Sequence, residues 1–224
     1  MNMHEILSHC DHTLLSPAAT WEEIRKICDE GMEYQTASIC IPPCFVKRAK
    51  EYVKDRLKIC TVVGFPNGDS TTAVKCFEAE EAIGNGADEI DTVIHVGALK
   101  EGNTDEILEE LCALRRVCHD KILKVIIEAC LLTEQEKKQM CEIVTRAGAD
   151  YIKTSTGFSK GGATREDVAL MVANVGAGVK VKAAGGISTL QDAIDFLDLG
   201  ADRLGSSRIV RLAENQDKEN MSGY

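Results

Sequence analysis

The sequence predicts an α/β protein with a single-domain (β/α)8 TIM barrel, in which eight parallel strands form a closed cylinder surrounded by helices. Short runs rich in β-branched residues alternate with longer stretches of helical spacing, and eight such units of about 28 residues fill the chain. This alternation produces parallel strands with right-handed crossovers. The runs 58–63 and 122–127 are almost continuously apolar, as expected for strands covered on both faces. An open doubly wound sheet is the alternative fold.

The element boundaries follow from the same alternation. We predict strands near 9–14, 34–41, 58–64, 88–95, 121–129, 150–154, 178–184 and 202–206. Helices are predicted near 20–30, 43–55, 71–86, 104–118, 133–148, 164–175, 189–199 and 207–214. Gly-Ala-Asp recurs at 86–88, 148–150 and 200–202, each time between a helix and a strand, where glycine can end the helix in a left-handed conformation. Thr133 and Glu136 have the spacing of a capping box.

Charge and composition indicate an ordinary soluble globular protein. The formal net charge of −10 argues against general binding to nucleic acid or to anionic membranes. No run of 18 apolar residues is present, and the N-terminal region lacks the apolar segment of a signal peptide, so we expect a cytoplasmic protein. No linker, low-complexity run or composition shift divides residues 1–210. We therefore expect one barrel domain over 1–213 and a polar, flexible tail over 214–224.

Cysteine is frequent but does not form a metal-binding pattern. The ten cysteines include no Cys-x-x-Cys pair, and several lie in apolar runs, which suits small core residues in a reducing compartment. His9, Cys10 and His12 are close in sequence, but no second group of ligands completes a site. We therefore expect no metal.

Charged residues occupy the predicted C-terminal ends of strands four, six and seven, where parallel α/β folds bind their ligands. They are Asp91, Lys153 and Lys182. Two neighbouring ammonium groups disfavour each other's charged form, and only a neutral amine attacks a carbonyl. A nearby carboxylate can move protons, so this set suits Schiff-base chemistry without a metal or organic cofactor. The alternative is a buried ion-pair network that only stabilises the barrel.

Two glycine-containing turns follow strands seven and eight and suit a phosphate group. Gly185-Gly186 and Gly205-Ser206-Ser207 each precede a predicted helix, where backbone N–H groups can bind an anion. The alternative is a pair of ordinary turns.

Other residues at strand ends extend the candidate site. We predict substrate contacts from Asp11, Cys40 and Gly157. Lys180 stands two residues before Lys182 and is expected in a lower barrel layer.

At these residues the chain resembles the deoxyribose-phosphate aldolases, a family of class I aldolases. The resemblance covers residues 7–210, and its most specific motifs are Lys153-Thr-Ser-Thr-Gly157 and Lys182-Ala-Ala-Gly-Gly186. Further matching stretches lie at 11–15, 37–41, 63–68, 87–91, 96–100, 124–128 and 205–207. The resemblance implies a (β/α)8 barrel that reversibly cleaves 2-deoxy-D-ribose 5-phosphate to D-glyceraldehyde 3-phosphate and acetaldehyde.

The resemblance also implies roles for the candidate residues. Lys153 would form the Schiff base, and Asp91 would donate and accept protons through an ordered water. Lys182 would favour the neutral amine of Lys153 and share in proton transfer. The 5-phosphate would be bound by Gly185, Gly186, Ser206 and Ser207.

Four positions depart from the family pattern or stand outside the barrel. Many relatives have arginine after the Gly-Gly-aliphatic turn, where this chain has Ser188, and Arg208 is the candidate replacement. His95 stands where another polar residue is usual. Some relatives use a C-terminal tyrosine on a flexible tail for proton transfer, which makes Tyr224 a further candidate.

Two other functions compete with this interpretation. One is a metal-free barrel aldolase that acts on a different sugar phosphate, and the other is a non-catalytic barrel that senses sugar phosphates. In each case the partner is a small molecule. Relatives of the resembled family are often dimers, so we expect a homodimer or another homo-oligomer.

Overall fold

Eight parallel strands close into a barrel in the computed structural model, which describes the backbone of residues 1–222 and the side chains of residues 1–216. Each strand pairs with the next along the chain, and the eighth pairs with the first. The predicted (β/α)8 barrel is confirmed, and the open doubly wound sheet is excluded. The strands are β1 (Cys10–Thr13), β2 (Ser38–Ile41), β3 (Ile59–Val63), β4 (Glu89–Val93), β5 (Ile122–Ile126), β6 (Tyr151–Lys153), β7 (Lys180–Ala184) and β8 (Arg203–Ser206).

Ten α-helices are found within the described residues, and eight of them match the predicted helices. They are α1 (Met3–Ser8), α2 (Trp21–Glu33), α3 (Val46–Val53), α4 (Thr72–Gly84), α5 (Val96–Lys100), α6 (Thr104–Cys118), α7 (Glu134–Arg146), α8 (Arg165–Asn174), α9 (Leu190–Asp198) and α10 (Ile209–Ser222). Sequence reasoning missed α1 and α5, because helices of six and five residues are too short to show a periodic apolar pattern.

The last helix continues past residue 213, the predicted end of the barrel domain. Residues 214–222 are mostly polar in sequence and continue the helix. Tyr224 lies outside the described residues. Within the described part of the chain, no helix combines the length and hydrophobicity that a membrane span requires.

Local signals in the sequence fix the helix ends as expected. Thr133 and Glu136 form the predicted capping box at the start of α7. The glycines of the three Gly-Ala-Asp triplets have φ values of +105°, +70° and +101°, which are left-handed conformations that glycine adopts without strain. The aspartates that follow have a second use, because the Asp88 and Asp150 carboxylates accept hydrogen bonds from the backbone of β3 and β5.

The strands separate two different environments. Ile152 and Val181 lie in the apolar core between the strands and the helices. Their neighbours Lys153 and Lys182 point to the other side of the sheet, because successive residues of a strand alternate between its faces. The barrel interior therefore holds charged side chains, and Lys182 is among the largest fully buried ones.

Candidate active site

The register of the barrel places the two candidate lysines side by side. Lys153 on β6 pairs with Lys182 on β7. Both amines donate to the same carboxylate oxygen, since Lys153 Nζ lies 2.7 Å and Lys182 Nζ 2.8 Å from Asp91 Oδ2. The three candidate residues Asp91, Lys153 and Lys182 lie on three different strands, and their side chains meet at one point in the structure.

The second carboxylate oxygen of Asp91 has its own donors. Lys124 on β5 lies opposite Asp91, and its Nζ is 2.8 Å from Asp91 Oδ1. The Cys60 thiol also donates to this oxygen at 3.1 Å. Burial alone would raise the pKa of Asp91, but Lys124, Lys153 and Lys182 outweigh burial and hold this pKa well below its usual range. Asp91 is therefore an ionised carboxylate at neutral pH.

Lys182 is a cation held by two carboxylates. Its Nζ lies 2.5 Å from Asp11 Oδ2, in addition to its contact with Asp91. Burial disfavours the charged form of Lys182, but Asp11 and Asp91 together raise its pKa above the ordinary lysine value. The second cation expected beside Lys153 is thus present and fully buried.

The whole cluster carries more positive than negative groups. Arg203 Nη1 lies 2.6 Å from Asp11 Oδ1 and 3.2 Å from Glu89 Oε2, and Lys124 Nζ lies 2.5 Å from Glu89 Oε2. Four cationic side chains therefore face three carboxylates, namely Lys124, Lys153, Lys182 and Arg203 against Asp11, Glu89 and Asp91. Loss of one proton from one amine makes the cluster neutral, which lowers the cost of burying it.

Lys153 differs from the other three cations in its surroundings. Among the described side chains, Asp91 is the one carboxylate that pairs with Lys153, whereas Lys124, Lys182 and Arg203 each contact at least two. Lys153 also lines the cavity at the barrel mouth. It is therefore the amine that a substrate can reach and that has the fewest contacts favouring its charged form.

A cavity of about 550 Å³ opens above Lys153. Its wall is formed by loops at the C-terminal ends of β1, β6, β7 and β8, which is where (β/α)8 barrels bind their ligands. Eight of the candidate residues line it: Lys153, Gly157, Gly185, Gly186, Gly205, Ser206, Ser207 and Arg208.

At the Gly185-Gly186 turn after β7, backbone atoms form part of the cavity wall. Gly185 and Gly186 both have φ of +76°, a conformation that favours glycine. Gly162 packs directly on this turn, since a Cβ atom there would lie 2.4 Å from the Gly185 carbonyl carbon. With no side chains in the way, an anion can approach the backbone closely.

Arg208 reaches across the cavity rim to the position where the expected arginine is missing. Its Nη1 donates to Ser188 Oγ at 3.2 Å. The Arg208 backbone N–H donates to Ser206 Oγ at 3.0 Å, which fixes the residue next to the serine turn. The guanidinium group therefore lies between the two turns predicted to bind phosphate.

Several candidate residues lie elsewhere. Asp11 and Cys40 are fully buried in the barrel interior and do not line the cavity. His95 is exposed at the start of α5 and lines a separate depression of about 170 Å³. Lys180 is not buried in a lower layer, because it is exposed at the N-terminal end of β7 and pairs with Asp202 at 3.2 Å.

Three members of the charged cluster were not among the sequence candidates, namely Lys124, Glu89 and Arg203. Each is a charged residue within a predicted strand, and Glu89 stands two residues before the candidate Asp91, on the same face of its strand. That spacing was the signal available in the sequence, since a charge inside an apolar strand must face a polar interior.

Two groups of metal-ligating atoms occur in the described barrel interior. Cys40, Cys60 and Asp91 form one, and Asp11, Cys60 and Glu89 form the other, with the ligand atoms of each group within 4.8 Å of one another. The Lys124 ammonium contacts atoms of both groups, including Cys60 Sγ at 3.2 Å. The Lys124 ammonium thus already provides the positive charge that a metal ion would bring to these ligand atoms.

Comparison with known proteins relates this geometry to a family. The family model described as DeoC/LacD family aldolase matches residues 6–207. The chain belongs to this aldolase family. A deoxyribose-phosphate aldolase of Streptococcus agalactiae is 57% identical over 219 residues, covering 98% of either chain. One from Streptococcus pyogenes is 57% identical over 216 residues, covering 96% of this chain and 97% of its own.

A solved structure agrees with the sequence relatives. The tetrameric deoxyribose phosphate aldolase of Aeropyrum pernix superimposes with a TM-score of 0.89 at 30% identity, covering 96% of this chain and 92% of its own. The resemblance found from the lysine motifs is thereby confirmed, and so is the prediction that the chain is an aldolase.

Proposed function

We propose that this aldolase reversibly cleaves 2-deoxy-D-ribose 5-phosphate to D-glyceraldehyde 3-phosphate and acetaldehyde through a Schiff base on Lys153. The observation that carries the proposal is the position of Lys153. Its amine contacts the Asp91 carboxylate at 2.7 Å, and the residue lines a cavity that the Gly185-Gly186 and Ser206-Ser207 turns also line. The names of the S. agalactiae and S. pyogenes relatives support the choice of substrate.

Schiff-base formation begins at the amine of Lys153. With three carboxylates holding Lys124, Lys182 and Arg203 as cations, we assign the neutral amine of the cluster to Lys153. This amine adds to the C1 aldehyde of the open-chain sugar, and loss of water from the carbinolamine leaves an iminium ion. The Asp91 carboxylate is within hydrogen-bond distance of the reacting nitrogen and can take up and return the protons of these steps.

Carbon–carbon cleavage follows from the iminium ion, which withdraws electrons from the C2–C3 bond. Removal of the proton from the C3 hydroxyl group breaks that bond, so that C3 becomes the aldehyde of glyceraldehyde 3-phosphate and C1–C2 becomes an enamine. Protonation of C2 and addition of water release acetaldehyde and restore the amine. We assign the proton transfers to Asp91 acting through an ordered water, with the Lys182 ammonium as the donor beside it.

The phosphate group is assigned to the turns after β7 and β8, together with Gly157. Gly185, Gly186, Gly205, Ser206 and Ser207 offer backbone and hydroxyl groups there. Asp11 and Cys40, which we had expected to contact substrate, would act from the barrel interior instead, Asp11 by holding Lys182.

The Arg208→Ala variant tests whether Arg208 replaces the arginine missing at Ser188. We expect its KM for deoxyribose 5-phosphate to rise about 10- to 100-fold, because a hydrogen bond to a charged group contributes about 1.5–3 kcal/mol. The KM for free deoxyribose should change little. Arg211→Ala, which removes an exposed arginine of α10 outside the cavity, is the control. Equal changes for both sugars would contradict this role.

Trapping with two carbonyl compounds tests the proposed reaction against other metal-free aldolase reactions. Borohydride should fix acetaldehyde to the protein but not dihydroxyacetone phosphate, and deoxyribose 5-phosphate should yield both predicted products. Preferential trapping of dihydroxyacetone phosphate would indicate a different sugar phosphate. A protein that binds sugar phosphate without any cleavage would be a sensor.

We propose further that the enzyme works in the cytoplasm as a homodimer or another homo-oligomer. Its ten cysteines are free within the structure, which suits a reducing compartment. The barrel of residues 1–213 would carry the reaction, and residues 214–224 would form an appendage whose Tyr224 assists proton transfer. The chemistry described requires no metal or organic cofactor.

A further inference from the structure

We propose that Glu128 and Thr156 are positioning residues for the aldolase reaction. Their side chains pair and hold residues 156–158 in place along the cavity wall beside Lys153. The inference rests on the proposed function for its substrate, but its structural basis lies in the contacts of Glu128 outside the charged cluster.

The backbone of Glu128 is strained. It has φ of +49°, a left-handed conformation that is unfavourable for a residue with a side chain. Three other non-glycine residues in the described chain have a positive φ, namely Gln35, Lys54 and His119, and all three lie at helix ends. Glu128 instead follows β5 at the barrel mouth. Strain of this kind persists where surrounding contacts impose it, often at functional sites.

The carboxylate of Glu128 is buried without a cation. The residue is 4% exposed, and no described lysine, arginine or histidine forms an ion pair with it. Instead it accepts hydrogen bonds from Thr156, both from the hydroxyl group and from the backbone N–H at 3.3 Å. Burying a carboxylate that has these hydrogen bonds but no cation costs folding free energy. The contact between Glu128 and Thr156 is therefore better explained by a role in function than by a gain in stability.

The backbone around Glu128 explains its conformation. Ile127 N donates to Lys153 O at 3.0 Å, and Ala129 N donates to Thr154 O at 2.8 Å. Both neighbours of Glu128 are therefore tied to the strand that carries Lys153 and to its extension. The left-handed turn at Glu128 allows both bonds and still directs its side chain to Thr156.

Thr156 in turn holds the backbone of the cavity wall at Phe158. Its Oγ1 accepts a hydrogen bond from Phe158 N at 3.1 Å. Thr156 and Phe158 line both the main cavity and a second cavity of about 180 Å³, which Glu128 also lines. Residues 156–158 thus form a partition between two spaces. Without the contact to Glu128, the partition is free to move into the smaller cavity.

Two variants and their combination test the pair. Glu128→Ala and Thr156→Val should each raise the KM for deoxyribose 5-phosphate about tenfold, which corresponds to loss of about one well-placed hydrogen bond. The double variant should show no larger rise than the single ones, because the two side chains act as a unit. Thr156→Ser, which keeps the hydroxyl group, should restore the wild-type KM.

Thr145→Val is the matched control. The Thr145 hydroxyl also donates one hydrogen bond, to Cys141 O at 2.7 Å, and accepts one, from Gly176 N at 2.9 Å, but it lies outside the cavity. Its KM should equal that of the wild type even where its Tm falls. An unchanged KM in Glu128→Ala, or multiplied effects in the double variant, would overturn the positioning role.

Hydrogen exchange separates this inference from the proposed reaction. The Phe158 amide should exchange faster in Glu128→Ala and in Thr156→Val than in the wild type, whether or not the protein cleaves deoxyribose 5-phosphate. Unchanged exchange in both variants would also overturn the inference. Failure of the wild-type protein to trap acetaldehyde, with faster exchange in the variants, would remove the proposed function and leave the contact between Glu128 and Thr156 established.

Discussion

Lys153→Leu is expected to lower kcat by at least about 10⁴-fold, because the group that forms the covalent intermediate is lost. The protein should nevertheless remain folded. Removal of Lys153 leaves three cations, Lys124, Lys182 and Arg203, against the three carboxylates of the cluster. We therefore expect the free energy of unfolding to stay within about 1 kcal/mol of the wild type or to rise. Steady-state assays and urea titrations measure the two quantities.

Lys180→Leu is the control for that variant. Lys180 is an exposed lysine at the other end of the barrel, so its loss should leave both kcat and stability nearly unchanged. If Lys153→Leu kept more than a few per cent of the wild-type turnover, the assignment of the Schiff base to Lys153 would be wrong.

Asp91→Asn should have the opposite effect on stability. The variant retains three cations, Lys124, Lys182 and Arg203, but only two carboxylates, Asp11 and Glu89, in a buried cluster. Breaking a buried ion pair costs about 3–5 kcal/mol, so urea titration should show a loss of that size. The value of kcat should also fall, by about 10²- to 10⁴-fold, because the proton donor and acceptor is lost. Asp202→Asn, which breaks a partly exposed pair with Lys180, should cost less than about 1 kcal/mol.

The pH dependence of stability provides a second measurement on the Asp91 variant. Lysine contacts hold the pKa of Asp91 below its usual range, so the folded state favours the ionised form. This contribution is complete above the unfolded pKa of about 3.9 and is lost as the pH falls through the lower folded pKa. Wild-type Tm should therefore drop steeply below about pH 4. Asp91→Asn should show a shallower drop, and equal slopes would contradict the ion-pair account.

The sequence was sufficient to predict most of the barrel, because each strand–helix unit has its own local signals. The glycines of the Gly-Ala-Asp triplets and the Thr133 capping box determine ends that depend only on nearby residues. The short helices α1 and α5 were missed since they bury too few residues to leave a pattern.

The candidate site was predictable where it depends on strand order and unpredictable where it depends on register. Lys153 and Lys182 end up as neighbours because β6 and β7 follow one another around the barrel. Asp11 was placed at the mouth from its position in the sequence, but the stagger between strands sets it opposite Ser38, in the interior. Register also decides that Lys124 faces Asp91, and periodicity alone does not determine register.

Peptide mapping after reductive trapping tests the central claim most directly. Wild-type protein would be incubated with acetaldehyde, reduced with borohydride, digested and analysed by mass spectrometry. The account predicts one ethyl adduct, on Lys153, because Lys182 and Lys124 are fully buried and remain charged. An adduct on Lys182 with Lys153 unmodified, or no adduct at either residue, would contradict it.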